Sequence, residues 1–200
     1  MDNLLKIDLT AFNHLPPSVL NIRQDTKLPY FEIEDNNRNL VICSAAGCGT
    51  ARYNNPKCFD TVIIDYDGFL TSLPHDFQQG KKRCDSIVYT QNCAYFLLNE
   101  LKDRIPKPSV LAVAITQLLA TLREIKKVPN INTFIGSFTI KRCLYCNKQV
   151  SSPSPTITAT IAFNRIGTLA QNGFKLSNSD IASLGFELFE YMGNHIIQLN

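Results

Sequence analysis

The chain is short of histidine and of long apolar runs, and both shortages narrow what it can do. His14, His75 and His195 are the only histidines among 200 residues. None stands in His-x-x-x-His spacing or in a triad-like grouping, so surface or core roles suit them better than ligation. Nucleophilic cysteine catalysis would need a histidine partner that the sequence does not place. No apolar run is long enough to cross a bilayer. The opening Met-Asp-Asn-Leu-Leu-Lys-Ile-Asp lacks a basic stretch followed by an apolar one. The expectation is a soluble, cytoplasmic protein with no membrane partner. Charge is also sparse. Only 18% of residues are charged, the net charge is +3, and no Lys/Arg-rich tract exists beyond Lys81-Lys82-Arg83. That balance admits an anionic partner without demanding one. No internal repeat is present.

What remains is a foldable chain. An apolar fraction of 44% over 200 residues can bury one sizeable core. The simplest organisation is a single α/β domain over 1–200, with an N-terminal region (1–57), a core (58–144) and a C-terminal extension (145–200). Cysteine is the odd element: Cys43, Cys48, Cys58, Cys84, Cys93, Cys143 and Cys146. An odd count in a chain this long argues against a disulfide framework. Cys143-Leu-Tyr-Cys146 has zinc-knuckle spacing, and Cys43-x4-Cys48 could supply a second pair. A tetrahedral Zn²⁺ site needs four converging thiolates. The stronger reading is that Cys143 and Cys146 end a buried strand as small hydrophobes.

Residues 1–57 give weak signals: a brief helix around 17–23, strands at 29–34 and 39–44, and a Gly/Asn-rich patch at 47–55. From residue 59 the pattern sharpens. Thr61-Val62-Ile63-Ile64 reads as a strand. Asp67-Gly68 reads as a turn leading to a second arm at 69–73, followed by a polar loop at 74–82. Strands at 84–90 and 94–101, split by Gln91-Asn92, read as a hairpin. Leu111, Ile115, Leu118, Leu122 and Ile125 recur at helical spacing behind Pro108, and Pro129 closes the segment. A strand at 133–144, a Ser/Pro loop at 151–155, a strand at 156–163, a helix at 179–192 capped by Ser177 or Asn178, and a short strand at 195–199 complete the reading.

The chemistry concentrates on the hairpin. Glu100 and Lys102 share one face of their strand. If the two strands pair around Gln91-Asn92, Asp85 lies opposite residues 98–100, within about 5 Å on the same face. Two carboxylates that close repel unless a cation joins them. Mg²⁺ accepts few protein carboxylates and keeps waters and phosphate oxygens. Such an ion activates water and neutralises charge on a phosphate. Lys102 could orient or deprotonate that water, or stabilise the transition state. The plain alternative is a solvated acid and an ordinary salt bridge.

Residues 58–144 resemble the PD-(D/E)XK nuclease superfamily, whose core runs αβββαβ around a mixed central sheet. Within it they resemble small bacterial proteins with a Lys-Cys-Asp strand, an aromatic strand ending Glu-Leu-Lys, and a helix with Ala-x-x-Gln. The matching residues here are Lys82-Arg83-Cys84-Asp85, Tyr95 to Lys102, and Ala114-Ile115-Thr116-Gln117. The resemblance implies a restriction-endonuclease-like fold with a C-terminal β/α extension. Asp85 and Glu100, with the Leu101 carbonyl, would hold Mg²⁺ or Mn²⁺. Lys102 would be the catalytic lysine, and Gln117 would lie near the phosphate or support the site. The implied function is hydrolysis of phosphodiesters, of DNA, in defence against foreign DNA. A nuclease-like scaffold without activity, in a defence or toxin–immunity system, is the second reading. It leaves room for a protein partner or a homodimer. Two departures stand out: Asp103 replaces the glycine that often follows Glu-Leu-Lys, and no N-terminal helix offers a further acid. A rival motif, Thr61 to Leu70 with Asp65 and Asp67, looks like the first motif of haloacid-dehalogenase-type phosphatases. It has Phe69 where threonine is usual and lacks the later acidic pair.

Overall fold

A computed structural model of the chain describes residues 1–36, 39–150 and 173–200. The N-terminal helix α1 is π-helical over Leu4–Leu9 and continues as an α-helical turn, Thr10–Phe12. Four short strands follow: β1 (Arg23–Thr26), β2 (Tyr30–Asn36), β3 (Asn39–Cys43) and β4 (Ala51–Asn54). Next come β5 (Thr61–Asp65), α2 (Tyr66–Thr71), α3 (His75–Gln78), β6 (Ser86–Thr90) and β7 (Tyr95–Lys102). Helices α4 (Pro108–Lys126) and α5 (Pro129–Gly136) lead to β8 (Ile140–Asn147). The C-terminal part holds β9 (Phe174–Leu176), α6 (Ser179–Ser183), β10 (Glu187–Met192) and β11 (Ile197–Gln198).

The architecture is mixed α/β. A seven-stranded sheet has the order β1-β5-β6-β7-β8-β10-β9, and a second, four-stranded sheet has the order β11-β4-β2-β3. In the large sheet β5, β6 and β7 run antiparallel in turn, and β8 lies parallel to β7. A parallel neighbour needs a long crossover, and α4 with α5 supplies it. Leu118, Leu122 and Ile125 of α4 pack with Phe96, Leu98 and Ile87 on one face. Phe31, Ile33 and Tyr53 of the small sheet pack with Ile63, Val88, Leu97 and Leu144 on the other. Both faces of the central strands are therefore covered. This is why β6 and β7 are continuous apolar runs rather than alternating ones. Among the described residues one helix, Pro108–Lys126, is long and apolar enough by composition to cross a membrane, at mean hydropathy 1.3, where no run of that length was expected. Here its buried stripe lies on the sheet.

Several expectations change. No helix forms around 17–23, and helix α1 and strands β1, β4 and β9 were not anticipated. Asp67-Gly68 is not a hairpin turn. Asp65 accepts the Gly68 N–H at 2.7 Å and caps α2, so residues 66–71 are helical where a second arm was expected. A short acid followed closely by glycine suits a helix start as well as a turn. The polar loop at 74–82 contains α3. The expected strand at 133–144 divides. Helix α4 ends before Pro129, as expected, but Pro129 also opens α5, whose buried face is Ile131 and Ile135, one turn apart. The expected helix at 179–192 also divides. Asn178 caps α6 through the Ile181 N–H, and Gly185, at φ 80°, turns the chain into β10. The 151–155 loop and 156–163 strand lie outside the described residues.

The two sheets are joined by a buried polar bridge. Tyr53 stacks on Phe31 at 4.8 Å and donates its hydroxyl to Asn99 Oδ1 at 2.6 Å. Asn99 Nδ2 donates in turn to Ser86 Oγ at 3.2 Å. Tyr53→Phe is expected to cost about 1–3 kcal/mol, because the buried Asn99 oxygen loses its donor. Phe96→Ala is expected to cost more, about 3–5 kcal/mol. Urea denaturation measures both, and a Tyr53→Phe variant as stable as the parent would show that the bridge adds nothing.

Candidate metal and catalytic site

The hairpin register sets the site. Ser86 pairs with Asn99, and the Asp85 N–H donates to the Asn99 carbonyl at 3.1 Å. One position further, Asp85 stands across from Glu100. Here β6 ends, and the Asp85 carboxylate replaces the missing ladder partner by accepting the Leu101 N–H at 2.5 Å. The N–H and C=O of a strand residue face the same neighbour, so the Leu101 carbonyl is directed to this edge too. Glu100 is fully buried. Its Oε1 contacts Lys102 Nζ, while its Oε2 has no hydrogen-bond partner among the described residues.

The segment before Asp85 is held from behind. Gln117 of α4 donates to the Arg83 carbonyl at 2.9 Å, and the Cys84 N–H donates to Thr121 Oγ1 at 2.8 Å. The Arg83 guanidinium pairs with Asp67 and donates to Thr71 Oγ1 at 2.9 Å. The Asp85 carbonyl accepts the Tyr66 and Asp67 N–H groups at 3.1 and 3.2 Å. Asp85 is thus fixed through its N–H, its carbonyl and its carboxylate.

A cleft of 210 Å³ opens over this edge, lined in part by Glu34, Asp35, Asp85, Lys102, Asp103 and Arg104. Glu34 and Asp35 come from β2 of the small sheet. Glu34 accepts from Thr50 Oγ1 at 2.7 Å and lies 3.6 Å from Lys148 Nζ. Burial pushes the Asp85 pKa up to about 6. Lys102 and the Leu101 N–H oppose the rise, and Asp35 and Asp67 add to it. Burial and then the charge of Asp85 push Glu100 well above the carboxylate range, against the pull of Lys102. This is the behaviour of two facing acids held away from water.

Of the residues expected from the sequence, Asp85, Glu100, Leu101 and Lys102 come together. Gln117 donates to the Arg83 carbonyl, which suits the supporting one of the two roles expected for it. Asp35 and Glu34 are additions that motif spacing could not reveal, since they arrive from a different sheet. Asp65, at the end of a strand whose neighbours are both antiparallel, is committed to capping α2, and Asp67 of α2 to Arg83. Cys143 and Cys146 lie three apart on β8 and enter opposite cores, so their thiols do not converge. Among the described residues, no group of three or more His, Cys, Asp or Glu side chains is placed to hold a metal. Two carboxylates and a carbonyl still suit a hard ion such as Mg²⁺, which takes few protein ligands. The unpartnered Glu100 oxygen is the kind of buried atom such an ion would satisfy. Comparison with protein-family models, with curated proteins and with solved structures returns no match.

Both acids bind protons more tightly folded than unfolded. Their protonation therefore contributes stability that is complete below the unfolded range, near about 4. That contribution fades as pH rises, for Asp85 through about 6. The melting temperature of the metal-free protein is expected to fall from pH 5 to pH 8, with a shallower slope in Asp85→Asn. Calorimetry at constant ionic strength checks this, and superimposable curves for the two proteins would refute it.

Proposed function

We propose that this chain is a divalent-metal-dependent nuclease of the PD-(D/E)XK type, acting on DNA in the cytoplasm, in defence against foreign DNA. The observation that carries the reading is the facing pair Asp85 and Glu100, with Lys102 on Glu100 and one Glu100 oxygen left without a partner. The strand order β5-β6-β7-β8, with α4 in the parallel crossover, supports it. Helix α1 stands at the chain start, with four strands between it and β5.

In this reading Asp85, Glu100 and the Leu101 carbonyl would hold Mg²⁺ or Mn²⁺. The bound ion supplies a more acidic water and neutralises charge growing on the phosphate. Lys102 places its ammonium beside that charge and orients the attacking water. Gln117 and Thr121 keep residues 83–84, and so Asp85, in place. Glu34, Asp35 and Asp103 make the cleft wall acidic, which repels phosphate until a cation is present. DNA binding is therefore coupled to the metal in this reading.

A second reading is favoured by one observation. The Lys102 ammonium already pairs with Glu100, so the site has a built-in cation. A nuclease-like scaffold that binds a protein partner or a second copy would need nothing more. Plasmid cleavage decides between the two. With Mg²⁺ or Mn²⁺ the chain is expected to nick supercoiled DNA, and Asp85→Asn or Lys102→Ala to lower the rate about 10²–10⁴-fold. No cleavage of duplex DNA, single-stranded DNA or RNA with either ion would leave the scaffold reading.

A further inference from the structure

The strands that carry the acidic cleft shape a second cavity at their other end. Strand β7 has eight residues, Tyr95 to Lys102, so its two ends stand about 23 Å apart. A pocket of 280 Å³ lies at the Tyr95 end, on the face that the small sheet covers, and none of its lining residues belongs to the cleft. Edge strand β11 and the residues after it form its rim. β11 runs parallel to β4, with Ile197 beside Tyr53 and Gln198 beside Asn54. Tyr95 then fastens the rim to β7. Its hydroxyl donates to the Asn200 carbonyl at 2.6 Å and accepts the Asn200 N–H at 3.0 Å. Ile140 and Phe189 stay only partly buried there, next to a face that is otherwise covered.

The side-chain donors of this pocket outnumber the acceptors they meet. Glu187, Phe189 and Tyr191 alternate along β10 and so share one face, and Arg142 of β8 stands beside Glu187. The Arg142 guanidinium lies 4.5 Å from the centre of the Phe189 ring and donates through Nε to Glu187 Oε2 at 3.2 Å. Neither of its Nη atoms donates to a described residue. The Tyr191 ring is centred 6.3 Å from that of Phe189, on the other side from the β8 partner of Glu187. Tyr191 is buried, and its hydroxyl donates to no described residue. Gln198 Oε1 accepts Asn54 Nδ2 at 2.8 Å, which leaves the Gln198 amide nitrogen unspent. The charge of Glu187 is already met twice, by Arg142 and by Lys175. A guanidinium can only donate, through a fork that matches carboxylate or phosphate oxygens. Buried donors of this kind normally have an acceptor.

We propose that this pocket binds a small organic anion, a carboxylate or phosphate carried on a flat ring. The anionic oxygens take the Arg142 Nη fork. The Tyr191 hydroxyl and the Gln198 amide line the same pocket and donate beside it. The ring lies against Ile140 and Phe189 and removes their remaining apolar surface from water. At 280 Å³ the pocket falls at the small end of ligand sites, about 300–1,000 Å³, which limits the ligand to a compact molecule. The pocket stands apart from the cleavage chemistry, and its test needs neither nucleic acid nor a metal.

The test is saturation-transfer NMR on the full chain, with benzoate and phenyl phosphate as probes and benzamide and phenol as their uncharged counterparts. At least one anion is expected to bind with a Kd of about 1 mM or tighter, about tenfold or more below that of its counterpart. Binding by benzoate alone assigns a carboxylate ligand, and binding by phenyl phosphate alone a phosphate. Arg142→Gln is expected to weaken that binding about tenfold or more, and Tyr191→Phe about threefold or more. Circular dichroism checks that each variant folds, and Tyr191→Phe decides alone if loss of the Glu187 pair unfolds Arg142→Gln. The proposal is overturned if neither anion binds at about 10 mM, if the uncharged counterparts bind equally well, or if the folded variants bind like the parent.

Discussion

The candidate site depends on where one antiparallel ladder stops. Strands β6 and β7 pair from Tyr89 with Phe96 to Ser86 with Asn99, and the backbone of Asp85 adds one bond more. Beyond that point Leu101 has no partner on β6, though it still pairs with β8, and the Asp85 carboxylate takes its N–H. Register is what gives this ending its chemistry. A slip of one residue would move Glu100 and Lys102 to the opposite face and carry Phe96 and Leu98 out of their core. Burial of both faces makes that slip expensive, so packing far from the cleft determines which side chains meet inside it.

The small sheet has two roles. It covers the second face of the central strands, with the Tyr53–Asn99–Ser86 bridge tying the layers together at a polar point. It also delivers Glu34 and Asp35 to the cleft. The helical layer does the complementary work. Helix α4 fills one face with Leu118, Leu122 and Ile125, and with Gln117 and Thr121 it grips the two residues before Asp85. The acidic edge is thus held between two layers that share no strand.

Burial and like charge both work against ionised carboxylates at this edge. Glu100 is fully buried, faces Asp85 and leaves one oxygen without a partner, relieved only by Lys102. Departures from polar satisfaction of this kind tend to gather where a protein works rather than where it is merely held together. The contrast with Glu32 is instructive. That acid is as deeply buried, yet amide and hydroxyl donors and Arg52 meet its charge, and it anchors a loop. Two buried acids, one satisfied and one not, mark a structural site and a candidate functional one.

Local pattern was enough for β2, β3, β5, the β6–β7 hairpin, helix α4 and the meeting of Asp85, Glu100 and Lys102. Each rests on period, β-branching or pairing across a short turn, all of which act between residues close along the chain. Asp67-Gly68 was ambiguous because the same acid–glycine pairing serves a turn and a helix cap. Residues 129–136 became helix and 187–192 strand because of what they pack on: α5 buries Ile131 and Ile135 in the helical layer, and β10 adds to the free edge of β8. Asp35 and Glu34 could enter the cleft only through the stacking of one sheet on another. Sequence spacing sets a face along a strand. Which distant faces come to share a cleft is decided by how the layers bury their apolar surface, and that exists only in the folded chain.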